Sequence, residues 1–154
     1  MQEFFHFSVI FFASLVAPDP TYETKIELAK VYYYQKKYKE ALDVINLMGP
    51  HKPTFEEEFL LADIYLAQKD YDKAEELYRK LVTQNPEKKD LLLLRLAEML
   101  SWQKRYDESL QIYQDLVERN QDDIQLRRKY AQVLLWSGNI EKATQELEKS
   151  LDKK

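Results

Sequence analysis

Apolar side chains recur along this chain at helical spacing, in two alternating orders. Four stretches follow an i, i+1, i+4 order: Leu28/Ala29/Tyr32, Leu61/Ala62/Tyr65, Leu96/Ala97/Leu100 and Tyr130/Ala131/Leu134. Each is followed by a stretch in i, i+4, i+7 order: Ala41/Ile45/Met48, Ala74/Tyr78/Leu81, Ser109/Tyr113/Leu116 and Ala143/Leu147. Both orders gather the apolar residues on one face of an α-helix. The two stretches of each pair are joined by a short polar turn: QKKY at 35–38, QKDY at 68–71, QKRY at 103–106 and SGNI at 137–140. The last residues of these turns are 33, 35 and 34 positions apart. The pattern predicts an all-α chain of four helix hairpins. They occupy residues 21–154, as units of about 22–54, 55–88, 89–122 and 123–154. The small residue on each helix is expected to face a large one on its neighbour, which lets the helices approach closely. Pro53 and Pro86 close the first two units, where one helix must stop before the next begins. A single hairpin cannot bury its own apolar face, so the core is expected to come from stacking.

Unit length, the small-residue positions, the turn tyrosines and the closing prolines together resemble the tetratricopeptide repeat family, from about Tyr22 to Leu151. The chain departs from the family pattern in two places. The aromatic residue often found near the start of such a unit is Lys25, Glu58, Leu93 or Arg127 here, and Gln121 replaces the third closing proline. The resemblance implies a right-handed superhelical solenoid whose first helices line a concave groove that holds another protein's peptide or surface.

The only two tryptophans, Trp102 and Trp136, fall 34 residues apart at the same place in successive units. At 100° per residue each lies well away from the core-centred alanine of its helix. Their stripe also carries Leu91, Arg95 and Glu98 in the third unit, and Gln125, Lys129 and Gln132 in the fourth. In the first unit it carries Glu23, Glu27, Lys30 and Tyr34, and in the second Glu56, Leu60, Asp63 and Ala67. The family resemblance places this stripe on the concave surface. A tryptophan there has two readings, a plug in the seam between units or an anchor for a partner. On the second reading Tyr34, Trp102 and Trp136 are aromatic anchors, Arg95, Arg128 and Lys129 basic contacts, and Glu27, Leu60 and Asp63 further partner-binding positions. A well-known subclass of these repeats clamps the C-terminal carboxylate of heat-shock chaperones. The matching places here are Ile26, Lys30, Leu60, Leu91 and Arg95, of which only the last fits, so a chaperone-tail adaptor is not expected.

Composition narrows the chemistry. The 154 residues include two glycines, five prolines and no cysteine, and carry a net charge of −4. The low glycine and proline counts argue against disorder, and the lack of cysteine excludes disulfide and thiolate chemistry. The short basic clusters Lys88/Lys89 and Arg127–Lys129 read as solvated surface offset by neighbouring acids, so no nucleic-acid partner is expected. The histidines, His6 and His51, have no carboxylate spacing that suggests a metal site. Gly49 and Gly138 read as helix ends rather than phosphate loops. Ser101, Ser109 and Ser137 have no histidine in the same or a neighbouring unit to activate them. No cofactor or metal is expected and the chain reads as non-catalytic.

The run from Phe4 to Ala17 (residues 4–17) differs from all that follows. It is mostly apolar and too short to span a bilayer as a helix. Its length fits a signal-peptide core. Against cleavage, no Lys or Arg precedes it, and Leu15 and Pro18 stand where a small residue and a non-proline are preferred. Alternatively, Phe4, Phe7, Phe11 and Leu15 recur at helical spacing, and Pro18 and Pro20 close the stretch, as in a helix capping the first unit. Two functions follow. One is a scaffold or adaptor for a protein partner. The other is a structural subunit tethered through residues 4–17 to a membrane complex, with the cell envelope favoured over the cytoplasm.

Overall fold

The structure is a computed structural model, and it describes residues 20–151. The expectations for residues 4–17 therefore lie outside the described residues. The described part is all-helical: α1 (Pro20–Tyr34), α2 (Tyr38–Asn46), α3 (Phe55–Ala67), α4 (Tyr71–Gln84), a 3₁₀ turn (Pro86–Lys88), α5 (Lys89–Trp102), α6 (Tyr106–Arg119), α7 (Ile124–Trp136) and α8 (Ile140–Leu151). None of these helices is long and apolar enough to cross a membrane. The chain divides into two compact units, one ending at Gln68 and the other beginning at Lys69.

In the first unit, α1 packs on α2, and α3 packs on both. The core joins Ala29, Ala41, Val44, Ile45, Leu60 and Ile64, with Tyr32, Tyr33 and Tyr38 leaning on it. The fully buried alanines are the positions that let the helices close up. Thr54 caps α3, its hydroxyl accepting from the Glu57 amide at 3.3 Å. Glu57 itself is buried, so it does more than complement the helix dipole. Its Oε2 accepts from the Tyr22 hydroxyl at 2.9 Å and lies 2.7 Å from His51 Nε2. His51 Nδ1 lies 2.8 Å from the Gly49 carbonyl, and the Tyr22 ring meets the imidazole edge-on. This cluster pins the loop between α2 and α3 to the start of α1.

In the second unit α4 packs on α5, α5 on α6, α6 on α7 and α7 on α8. Ala97, Tyr113, Leu116, Val117, Tyr130, Ala131, Val133, Leu134 and Ala143 form one buried cluster in which the Tyr113 and Tyr130 rings stack. At the α5–α6 seam the small residue meets backbone rather than a large side chain. Ser109 Oγ donates to the Ala97 carbonyl at 2.7 Å, and both residues are fully buried. Arg127 departs from its reading as solvated surface. It is buried, pairs with the equally buried Glu146, and donates to the Gln121 carbonyl at 3.1 Å. Its charge is thus consumed inside the fold, which is the condition for tolerating a buried guanidinium. Leu28 and Leu147, expected in the core, are 42% and 39% exposed. They belong to the first and last described helices, each of which has a neighbouring hairpin on one side only among the described residues.

The turns repeat in backbone as well as in sequence. Lys36, Lys69, Lys104 and Gly138 hold the same turn position and all have φ between 61° and 85°. The next residue closes the helix end with a long-reach bond: Lys37 N–H to the Tyr32 carbonyl, Arg105 N–H to Leu100, and Asn139 N–H to Leu134, at 2.8–2.9 Å. This is the glycine-favoured helix stop, occupied three times by lysine.

Two outcomes follow. Lys104→Gly should raise stability by a few tenths to about 1 kcal/mol, because glycine carries no left-handed steric cost, while Gly138→Ala should lower it by about 1–2 kcal/mol. Urea unfolding measures both, and a loss on Lys104→Gly would contradict this. The second concerns His51, whose pKa is raised above its ordinary value by the Gly49 carbonyl and then by Glu57, against desolvation and the Lys25 charge. Its contribution to the first unit should be fully present below about pH 6.5 and fade as pH rises through the raised folded value. An NMR titration giving His51 an ordinary or lowered pKa would contradict that sign.

Candidate functional site

The first helices of the hairpins place the stripe identified in the sequence. In the first unit a cavity of about 440 Å³ opens between α1 and α3, lined by Lys30, Tyr33, Tyr34, Phe55, Glu56, Phe59, Leu60 and Asp63. The Phe55 and Phe59 rings stack at 5.5 Å, and Tyr33 and Tyr34 meet edge-on at 5.5 Å. Tyr34 forms the rim at 78% exposure. Leu60 departs from its expected role as an exposed contact. It is 6% exposed and forms the floor, because the core of the first unit claims most of its surface. Asp63 is half-buried on the wall. Lys30 donates to Glu27 at 2.7 Å and to Glu56, so one ammonium on α1 binds a carboxylate of its own helix and one of α3. Those two acids raise the Lys30 pKa. Tyr33, Phe55 and Phe59 lie off the stripe read from the sequence. The Phe55/Phe59 spacing of four residues was the available signal.

In the second unit the corresponding faces of α5 and α7 carry Leu91, Trp102 and Trp136 at 46%, 53% and 49% exposure. Each side chain is thus about half exposed to solvent. Glu98 on α5 accepts from Arg95 Nη1 at 3.4 Å and from Lys129 of α7. Glu98 is itself mostly buried, so it works as a brace between the two first helices. Arg128 departs from the expected face. It is exposed, but one heptad from Leu135 rather than from Trp136, on the flank of α7 where Leu135 is 42% exposed. Lys129 is the residue that shares the Trp136 stripe. The same seven-residue step joins Glu27 to Tyr34 and Arg95 to Trp102. Each of these three helices thus sets an exposed aromatic two turns beyond a charge.

A cavity of about 460 Å³ in this unit is lined by Gln114, Val117, Glu118, Gln121, Arg127, Tyr130, Lys142, Glu146 and Lys149. The Arg127–Glu146–Lys149 ion pairs and Lys142, which lies over the Tyr130 ring, crowd its walls. Among the described residues no group of acidic or histidine side chains is arranged to hold a metal ion.

Comparison with known proteins agrees with this architecture. Among solved structures, MamA superposes with a TM-score of 0.70 at 14% identity, over 85% of this chain and 77% of that one. MamA AMB-1 gives a TM-score of 0.64 at 18% identity, over 84% and 70% of the two chains. The nearly identical TPR-like repeats of a Podospora anserina protein named for the kinesin light chain give 0.68 at 15% identity, over 83% and 72%. At these identities the likeness shows the fold alone. No curated protein sequence matches the chain. The family model described as anaphase-promoting complex, cyclosome, subunit 3 matches residues 8–81. The tetratricopeptide repeat model matches residues 65–132 and 103–154, together more than half of the chain and all of α4 to α8. With its turn, small-residue and stacking pattern repeated hairpin by hairpin, the chain belongs to the tetratricopeptide repeat family.

Proposed function

We propose that this protein is a non-catalytic scaffold or adaptor that holds another protein through the exposed faces of its first helices. The observation that carries this reading is the exposed aromatic two turns beyond a charge on α1, α5 and α7. A purely structural role for these rings would bury them, as Tyr78 and Tyr113 are buried. In the first unit the partner's apolar side chain enters the cavity over Leu60, between Tyr34 and Asp63, with Glu27 on the bank. In the second unit Trp102 and Trp136 are the anchors, with Arg95 and Lys129 beside them and Arg128 on the flank. Exposed aromatics of this kind are over-represented among interface hot spots. Charges beside them set register and association rate more than affinity. One of the matched family models describes a subunit of a multiprotein complex, which suits a scaffold reading.

The test separates anchoring from packing. Trp102→Ala/Trp136→Ala should leave the circular dichroism unchanged and cost each site no more than about 1–1.5 kcal/mol, since half of each ring is already in water. Tyr113→Ala, from the core, should cost about 3–5 kcal/mol. In crosslinking pull-downs from the native cell, the tryptophan variant should lose a partner that wild type captures. A loss of about 2 kcal/mol per anchor corresponds to roughly 30-fold in Kd. Undiminished capture by a folded double variant would place the binding surface elsewhere. A double variant as unstable as Tyr113→Ala would assign the rings to the seam.

A further inference from the structure

The first described helix differs from the later first helices in what covers it. Two residues past the repeated alanine stand Val31, Ile64, Met99 and Val133. Ile64, Met99 and Val133 are 0%, 0% and 2% exposed. Ile64 lies in one cluster with Ala41, Val44 and Ile45 of α2, and Val133 in one with Tyr113, Leu116 and Val117 of α6. The position therefore faces the second helix of the preceding hairpin. Val31 is 47% exposed. One turn earlier Leu28 is 42% exposed, whereas of its equivalents Leu61 is half-buried and Leu96 and Tyr130 are each at 2%. So α1 carries the contact face of a helix that follows another, and no described helix lies against that face.

We propose that residues 4–17 of this chain cover it, as the second helix of a preceding hairpin. The sequence ahead of α1 has the right pattern in the right place. Ser8 precedes Ala29 by 21 residues, as Ala41 precedes Ala62. Phe12 and Leu15 follow Ser8 at the i+4 and i+7 places that Ile45 and Met48 hold after Ala41. Phe5 stands three before Ser8, where Tyr38 stands before Ala41. Residues 16–19 then separate Leu15 from α1, as residues 120–123 separate α6 from α7. The family match that takes in α1 and α3 also begins at residue 8, inside this segment. A cover joined to α1 by a short connection meets its face at an effective concentration on the order of millimolar, well above that of a second copy free in solution.

The chain has no cysteine, so pairs can be introduced into the full-length protein and oxidised with copper phenanthroline. Phe12→Cys/Val31→Cys and Leu15→Cys/Leu28→Cys should close within one chain, ~10-fold or more faster than a Phe12→Cys/Glu56→Cys control, because contact holds the thiols together. Peptide mapping confirms the bond. Equal rates for test and control pairs would overturn the assignment. Bonds between chains would give the face to a second copy. Open pairs together with sedimentation on phosphatidylcholine/phosphatidylglycerol vesicles would give residues 4–17 to lipid. As a second measurement, Val31→Asp should release residues 4–17 to fast hydrogen exchange while α3 stays protected. Unchanged exchange in a folded variant would count against the proposal. If that variant unfolds throughout, the cysteine pairs, which keep the face apolar, decide.

Discussion

The structure depends on one seam made repeatedly: within each compact unit, first and second helices that are neighbours in sequence lie closely against each other. The hairpin alone has too little apolar surface to be stable, and every fully buried alanine sits where a neighbouring helix would otherwise be held away. Ser109 shows how tight the approach is, since its hydroxyl reaches the Ala97 backbone across the α5–α6 interface. A small side chain here gives up little burial of its own and gains contact along whole helices. A larger one would separate surfaces whose combined dispersion and hydrophobic gain greatly exceeds its own. Secondary structure in these short helices is thus a consequence of stacking more than of local propensity.

The seam also divides the labour among residues on each first helix. On α5, one stripe meets α4, another meets α6, and the remaining stripe faces solvent beside α7. Because the solvent stripe is fixed by the other two, a charge and an aromatic placed seven residues apart recur in space as they do in sequence. Trp102 and Trp136 therefore match each other in exposure as well as in position. The aromatic recurrence is a by-product of the repeat only in where it falls. The repeat does not require it, as Ala67 at the equivalent place shows.

What the sequence makes legible is what has a period. The hairpins, the turn positions, the buried alanines and the solvent stripe all repeat at 33–35 residues, so each copy corroborates the others. What stayed illegible depends on a single unrepeated contact. Arg127 reads as one of three surface cations, yet Glu146, nineteen residues on, takes it into the core. Glu57 reads as an ordinary first-turn acid, yet a tyrosine 35 residues earlier and a loop histidine both bond to it. Arg128 reads as a basic contact beside Lys129, whereas a one-residue step on a helix turns a side chain by about 100° and takes it to the flank. Leu60 sits on the solvent stripe by phase but is large and central enough to be claimed by the core.

The two units treat charge on their first helices in opposite senses. In the first, one cation, Lys30, joins two carboxylates, Glu27 and Glu56, and so ties α1 to α3. In the second, one carboxylate, Glu98, joins two cations, Arg95 and Lys129, and so ties α5 to α7. Exposed ion pairs contribute about 0–1 kcal/mol each, so these braces add little to the stability set by the seam. What they fix is orientation: each holds two long side chains over the face and leaves the triad one charge short of neutral, negative in the first unit and positive in the second. A partner charge of opposite sign would then meet side chains already ordered, and would lose less conformational freedom in pairing than with free lysines or glutamates. On the proposed reading, the aromatic rings of each unit would supply contact area, while its braced triad would select the charge that can lie beside them.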